Sequence, residues 1–147
     1  MPSLELPPAE FMQVVAGGAY AELSQLGLQS EIRLDQQGAA QRAIVQQRGT
    51  DHLLFAAQAG NANQLWVHQD GWANSASIAQ AGERNVLMML QSGNNNTASV
   101  TQYGNANRAL VEQVGNFNRA TITQLSSGLT AVIRQYGDRN TATVIQY

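Results

Sequence analysis

Glutamine recurs every 11 residues along almost the whole chain, at Gln25, Gln36, Gln47, Gln58, Gln69, Gln80, Gln91, Gln102, Gln113, Gln124, Gln135 and Gln146. Twelve in-phase repeats cannot arise from composition, and a fixed period of this kind marks a stacked repeat architecture. Other positions keep the same phase. Glycine follows each glutamine by two residues, at Gly27, Gly38, Gly49, Gly60, Gly71, Gly82, Gly93, Gly104, Gly115 and Gly137, with Ser126 breaking the series. Asparagine follows by five, at Asn63, Asn74, Asn85, Asn96, Asn107, Asn118 and Asn140. Alanine is commonest two residues later, as at Ala76, Ala98 and Ala120, and a larger aliphatic comes two after that, as at Ile78, Val100 and Ile122.

The unit reads Asn-x-Ala-x-Val-x-Gln, then x-Gly-x-x. Its first seven positions alternate with period two, which in a strand sends Asn, Ala, Val and Gln to one face. The spacer carries Gly with Asn or Asp nearby, residues that enter turn conformations at low cost. Eleven residues also fit three helical turns, but a Gly in nearly every unit and β-branched residues between them oppose a long helix. The expected fold is all-β: a two-sheet parallel β-solenoid of 22 residues, or two strands, per coil, with about six coils. Coils would stack at about 4.8 Å, with two sheets about 10 Å apart, the cross-β spacings of amyloid. Stacked Gln and Asn amides would then hydrogen-bond along the axis, satisfying groups that are costly to bury alone.

Composition excludes several classes. Charged residues are 12% of the chain, lysine and cysteine are absent, and the net charge is −2. That balance gives no electrostatic footprint for nucleic acid and little self-repulsion between copies. No disulfide framework or thiolate site is possible. Residues 1–18 hold all three prolines and read as a flexible N-terminal segment, with the solenoid over 19–147. The lack of Arg or Lys before residue 30 leaves no positive n-region, so the chain reads as one whose secretory signal has been removed.

The repeat resembles the curlin repeat, Ser/Asn-x5-Gln-x-Gly-x-x-Asn-x-Ala-x3-Gln. It is legible in Asn74-Ser-Ala-Ser-Ile-Ala-Gln80-Ala-Gly82-Glu-Arg-Asn85 and in Asn96-Thr-Ala-Ser-Val-Thr-Gln102-Tyr-Gly104-Asn-Ala-Asn107. The lead-in Ala21-Glu-Leu-Ser-Gln25, a degenerate first repeat and Asp51-His-Leu-Leu-Phe-Ala-Ala-Gln58 look closer to the minor curlin, the nucleator, than to the major subunit. The well-formed last strand, Asn140 to Gln146, departs from the basic, irregular last repeat typical of the nucleator. The resemblance implies a secreted, extracellular fibre subunit at the bacterial outer-membrane surface, with roles in biofilm matrix and adhesion. Its implied partners are its own polymer, the major curlin, an outer-membrane export pore and surface accessory factors, with no nucleic acid required.

The outward positions carry further expectations. Ile44, Trp66, Met88, Leu110 and Val132 are spaced by 22 and form an exposed apolar stripe on one sheet, suited to lateral contact. The other sheet presents Ser75, Ser77, Thr97, Ser99, Thr101, Thr121, Thr123, Thr141 and Thr143. Such a lattice is also what ice-binding solenoids display, although β propensity alone accounts for it. Glu31, Arg33 and Asp35 put charge on every outer position of an early strand, which blunts an edge. The strand from Asn140 to Gln146 has no charged outer residue and is expected to template growth. No catalytic constellation stands out: His52 falls in an asparagine slot, His68 points outward, and no carboxylates stack beside them. An enzyme, a metal site or a cofactor is therefore not expected.

Overall fold

A computed structural model describes the backbone of residues 4–6, 11–16 and 18–147, with side chains from residue 18 onward. From Ala19 the chain winds as a β-solenoid of twelve strands. Strands β3 (Ala19–Leu28), β5 (Arg42–Thr50), β7 (Gln64–Trp72), β9 (Val86–Asn94), β11 (Arg108–Asn116) and β13 (Thr130–Tyr136) stack in one parallel sheet. Strands β4 (Glu31–Ala39), β6 (Leu53–Asn61), β8 (Ser75–Glu83), β10 (Thr97–Tyr103), β12 (Arg119–Gln124) and β14 (Thr141–Gln146) form the other. Every parallel pairing joins residues 22 apart, as in Gln69 with Gln91 and Ala98 with Ala120. The two-sheet solenoid of about six coils is thus the architecture that the 11-residue period implies. No helix occurs among the described residues.

Alternation sets the core. Leu23, Val45, Val67, Met89, Val111 and Ile133 project inward from the first sheet to meet Leu34, Ile78, Val100 and Ile122 of the second. All are buried, at 5% exposure or less. The small residue two positions earlier in each strand, usually Ala, lets the sheets approach, so the core is a narrow seam running along the axis. At about 25 cal/mol per Å2 of buried apolar surface, each coil adds a similar increment, and stability accumulates by neighbour contacts.

The reversal between strands is tighter than the four-residue spacer implies. Strands run nine residues in most coils, through the glycine, so Gly60 pairs with Gly82 and Gly71 with Gly93 inside the ladder. The glycine marks a bend at positive φ, +115° at Gly71. A Cβ on Gly71 would lie 2.1 Å from the carbonyl oxygen of Gly93, so no side chain fits there without parting the coils. The chain then turns on one left-handed residue just before the asparagine slot: Gln29, Ala40, Asp51, Ala62, Ala73, Arg84, Asn95, Ala106, Phe117 and Arg139 all have φ between 53° and 60°. Only Asp51 and Asn95 belong to types that favour this region. From Asp51 onward each of these residues donates its N–H to the preceding coil, for example Ala73 N–H to Thr50 O at 2.9 Å. Around Ser126, which replaces the glycine, β10 and β12 stop short, at Tyr103 and Gln124.

Two pieces of the first segment are strands. Within residues 1–18, read as flexible, β1 (Leu4–Leu6) pairs antiparallel with β4, and β2 (Phe11–Ala16) pairs antiparallel with β3. The run Phe11-Met-Gln-Val-Val is apolar and partly β-branched, and the first coil offers it an otherwise unpaired edge. The remainder of that segment lies outside the described residues.

Two substitutions test the arc. Ala73→Gly removes a left-handed alanine and is expected to stabilise the chain by about 0.5–1 kcal/mol. Gly71→Ala is expected to destabilise it by about 3 kcal/mol. Both are read from unfolding midpoints in guanidinium, where an ordinary loop would show the opposite signs.

Candidate functional site

The glutamines form two continuous hydrogen-bonded ladders inside the solenoid. In the sheet that holds β4, each side-chain Nε2 donates to the Oε1 of the next coil: Gln36 to Gln58 at 2.8 Å, then Gln80, Gln102, Gln124 and Gln146 in turn. In the other sheet the ladder runs from Gln47 through Gln69, Gln91 and Gln113 to Gln135. Each interior Nε2 also reaches a backbone carbonyl of the facing arc, as Gln91 does to Ser75 O at 3.1 Å. Gln25 stands apart, donating to the Ser30 carbonyl.

The asparagines do different work from the amide-to-amide stack that their spacing suggests. Each is one methylene shorter and directly follows the left-handed residue, so its side chain meets backbone. Asn63 Nδ2 donates to Ala59 O and Gly82 O, both at 3.0 Å, and its Oδ1 accepts the Asn85 N–H at 3.0 Å. Asn74, Asn85, Asn96 and Asn118 repeat the donation to the glycine carbonyl, and Asn107 bonds Tyr103 O. Direct amide contacts occur from Asn96 to Asn74 and from Asn140 to Asn118. Three residues of other types take the same role. Gln41 donates to Gly60 O at 2.7 Å, and Ser30 Oγ accepts the His52 N–H at 3.1 Å. His52, 1% exposed, donates Nε2–H to Arg48 O at 2.8 Å and accepts the Asn74 N–H at Nδ1. That pattern specifies a neutral ring held as a structural member of the column. Gln41 and Ser30 were visible only through their phase.

The turn glycines Gly38, Gly49, Gly60, Gly71, Gly82, Gly93, Gly104, Gly115 and Gly137 all lie at positive φ along one line up each arc. On the outer face, Ile44, Trp66, Met88, Leu110 and Val132 are direct register neighbours. Beside them runs a groove of about 570 Å3, lined by Trp66, His68, Met88, Leu90, Leu110 and Glu112 among others. Glu112 bonds Arg134 at 3.3 Å and accepts the Tyr136 hydroxyl at 2.8 Å. That hydrogen bond, then desolvation and the carboxylate charge, holds the Tyr136 phenol above its usual pKa. The hydroxyl lattice of the opposite sheet is interrupted: Thr97 and Thr141 flank Arg119, and Ala79 and Ile145 bound the column of Thr101 and Thr123.

The two ends are unequal. At the first coil, β1 and β2 cover both edges. Behind them, Oε1 of Gln25, Gln36, Gln41 and Gln47 is buried with no hydrogen-bond partner among the described residues. At the last coil, no described strand lies beyond β13 and β14. Because every ladder Nε2 points toward the later coil, this end presents the donors of Gln135 and Gln146, and the first coil presents acceptors. The stack is polar.

Among the described residues no group of three or more His, Asp or Glu could hold a metal ion, and no helix is long and apolar enough to cross a membrane. Residues 93–125 match the family model of the curlin associated repeat. The match spans β10 to β12 and supports a curli-type structural subunit. No curated protein and no solved structure matches the chain.

The ladder yields a graded prediction. Gln91→Leu strands the Gln69 donor and the Gln113 acceptor in the core and is expected to cost about 2–4 kcal/mol. Gln146→Leu, which strands only the Gln124 donor at a half-exposed end, is expected to cost about 1 kcal/mol. Urea titrations of the two variants check the ratio; equal losses would contradict a ladder.

Proposed function

We propose that this chain is a structural subunit of a secreted, extracellular curli-type functional amyloid, and that it is the minor subunit that nucleates polymerisation of the major curlin. The observation that carries the reading is the polarity of the ends. β1 and β2 cover the first coil, while every ladder donor points toward the last coil, where β13 and β14 lie in solenoid register. A chain built this way starts a polymer and extends it in one direction. An incoming subunit adds its first coil by β-augmentation, its glutamine acceptors meeting Gln135 and Gln146. Surface attachment, an outer-membrane export pore and accessory factors belong to the same proposal, as do biofilm and adhesion. The interrupted hydroxyl face gives the ice-binding alternative no support.

The test is the thioflavin T lag of freshly solubilised major curlin, with and without a few per cent of this chain, pre-assembled, where "few" means a catalytic dose. A shortened lag, with little polymer from this chain alone at that dose, is expected. Thr143→Pro removes an N–H that faces away from β12, at the outer edge of β14, and distorts the strand, and is expected to abolish the shortening. Unaltered seeding by that variant would overturn growth at this end, and copious fibres from this chain alone would identify a major subunit.

A further inference from the structure

We infer that the apolar-striped sheet is a self-association face, on which a second copy of this chain packs side by side and parallel, about a two-fold axis along the stripe. The inference stands independently of the end-to-end assembly just described.

Trp66, Met88 and Val132 of the stripe are 42%, 44% and 50% exposed, and Ile44 and Leu110 are partly exposed. A two-fold axis parallel to the solenoid and passing over this central column makes each coil face the same coil of its partner. It brings the outer position before the stripe opposite the outer position after it. Strand positions follow from the register of the sheet. Met88 then meets Met88, and Val86 meets Leu90, which widens the apolar contact at the middle coil. One coil on, Arg108 meets Glu112 of the partner, twice per pair. Gln64 meets His68 one coil back. No like charges oppose each other at any level from β5 to β13.

The pairing is specific to this sheet. On the opposite face the same operation sets Glu31 against Asp35 and Arg33 against Arg33, which repel. Within one chain, Arg108 and Glu112 lie four residues apart on one strand, about 13 Å at the usual rise, so they do not serve each other. Glu112 bonds Arg134, whereas Arg108 makes no ion pair among the described residues. A patch five coils tall and some five residues wide covers about 400 Å2 per partner at standard strand spacings. That is at the small end for specific association, so single chains pair weakly and stacked chains pair strongly through repetition.

The absence of lysine makes the contact directly testable. R108K introduces the one side-chain amine of the chain. A mixture of isotopically light and heavy full-length R108K is treated with a zero-length carbodiimide, and linked peptides are identified by mass. A mixed-isotope link joining position 108 to Glu112 is expected, and E112Q in the same background should remove it. Absence of that link, or its persistence with E112Q, overturns the inference; so does a link joining position 108 to other carboxylates in its place. Charge reversal gives a second reading that cross-link chemistry does not affect. R108E and E112R are each expected to lose the laterally paired species about tenfold in sedimentation velocity, and an equal mixture of the two should regain it. End-to-end contacts would not respond to either change. An antiparallel pair, in which Arg108 meets Gln64 of the partner, would show no recovery on mixing and would equally overturn the parallel arrangement.

Discussion

The structure depends on one constraint: a primary amide buried in every strand must find its partners inside the protein. An unpaired amide costs several kcal/mol to bury. Here Gln Nε2 and Oε1 are matched only when residues 22 apart lie one strand spacing apart, in register. A slip of one residue would turn every glutamine outward and every surface residue inward. The ladders therefore specify register as well as adding stability, a role that the thin aliphatic seam could not fill, since Val, Ile and Leu pack acceptably in several registers. With no cysteine, register rests on hydrogen bonds and on the glycine line, where a Cβ would strike the next coil.

The same geometry gives the molecule direction. Amides that donate one way along the axis leave acceptors at the first coil and donors at the last, so the stack has a direction. At the first coil the antiparallel strands β1 and β2 extend that asymmetry to the backbone. Along the sides the sheets differ again, one carrying apolar residues with opposite charges placed to meet across a two-fold axis, the other a broken hydroxyl lattice and like charges. The proposed growth along the axis and the proposed association beside it thus draw on separate surfaces of one repeat.

Much of this was legible in the sequence because the side-chain period of a strand and the 11-residue period of the chain coincide, which makes inward and outward positions readable by counting. The features that escaped are those decided by neighbouring coils rather than by residue type. Ala62, Ala73 and Ala106 carry no signal for the left-handed region, and coil-to-coil backbone bonds impose it on them. Asparagine looked like a second amide stack, yet its shorter side chain stops at the glycine carbonyl. Ser30 and Gln41 perform the asparagine role with different chemistry, as His52 does, so only their phase betrays them. The antiparallel strands β1 and β2 carry no repeat at all, and the edge they cover exists only once the first coil has formed.

The central claim is that one coil takes 22 residues, with neighbours on a sheet 22 apart and residues 11 apart on opposite sheets. The cysteine-free chain permits a direct measurement: paired nitroxide labels, read by electron paramagnetic resonance in samples diluted with unlabelled chain. Labels introduced by Ser99→Cys and Thr121→Cys should sit on adjacent strands about 5 Å apart and show strong exchange broadening. Labels introduced by Ser99→Cys and Leu110→Cys should point away from opposite sheets, more than about 20 Å apart, and show none. Broadening in the second pair and its absence in the first would contradict the 22-residue coil, and with it the ladders and the polarity that follow from them.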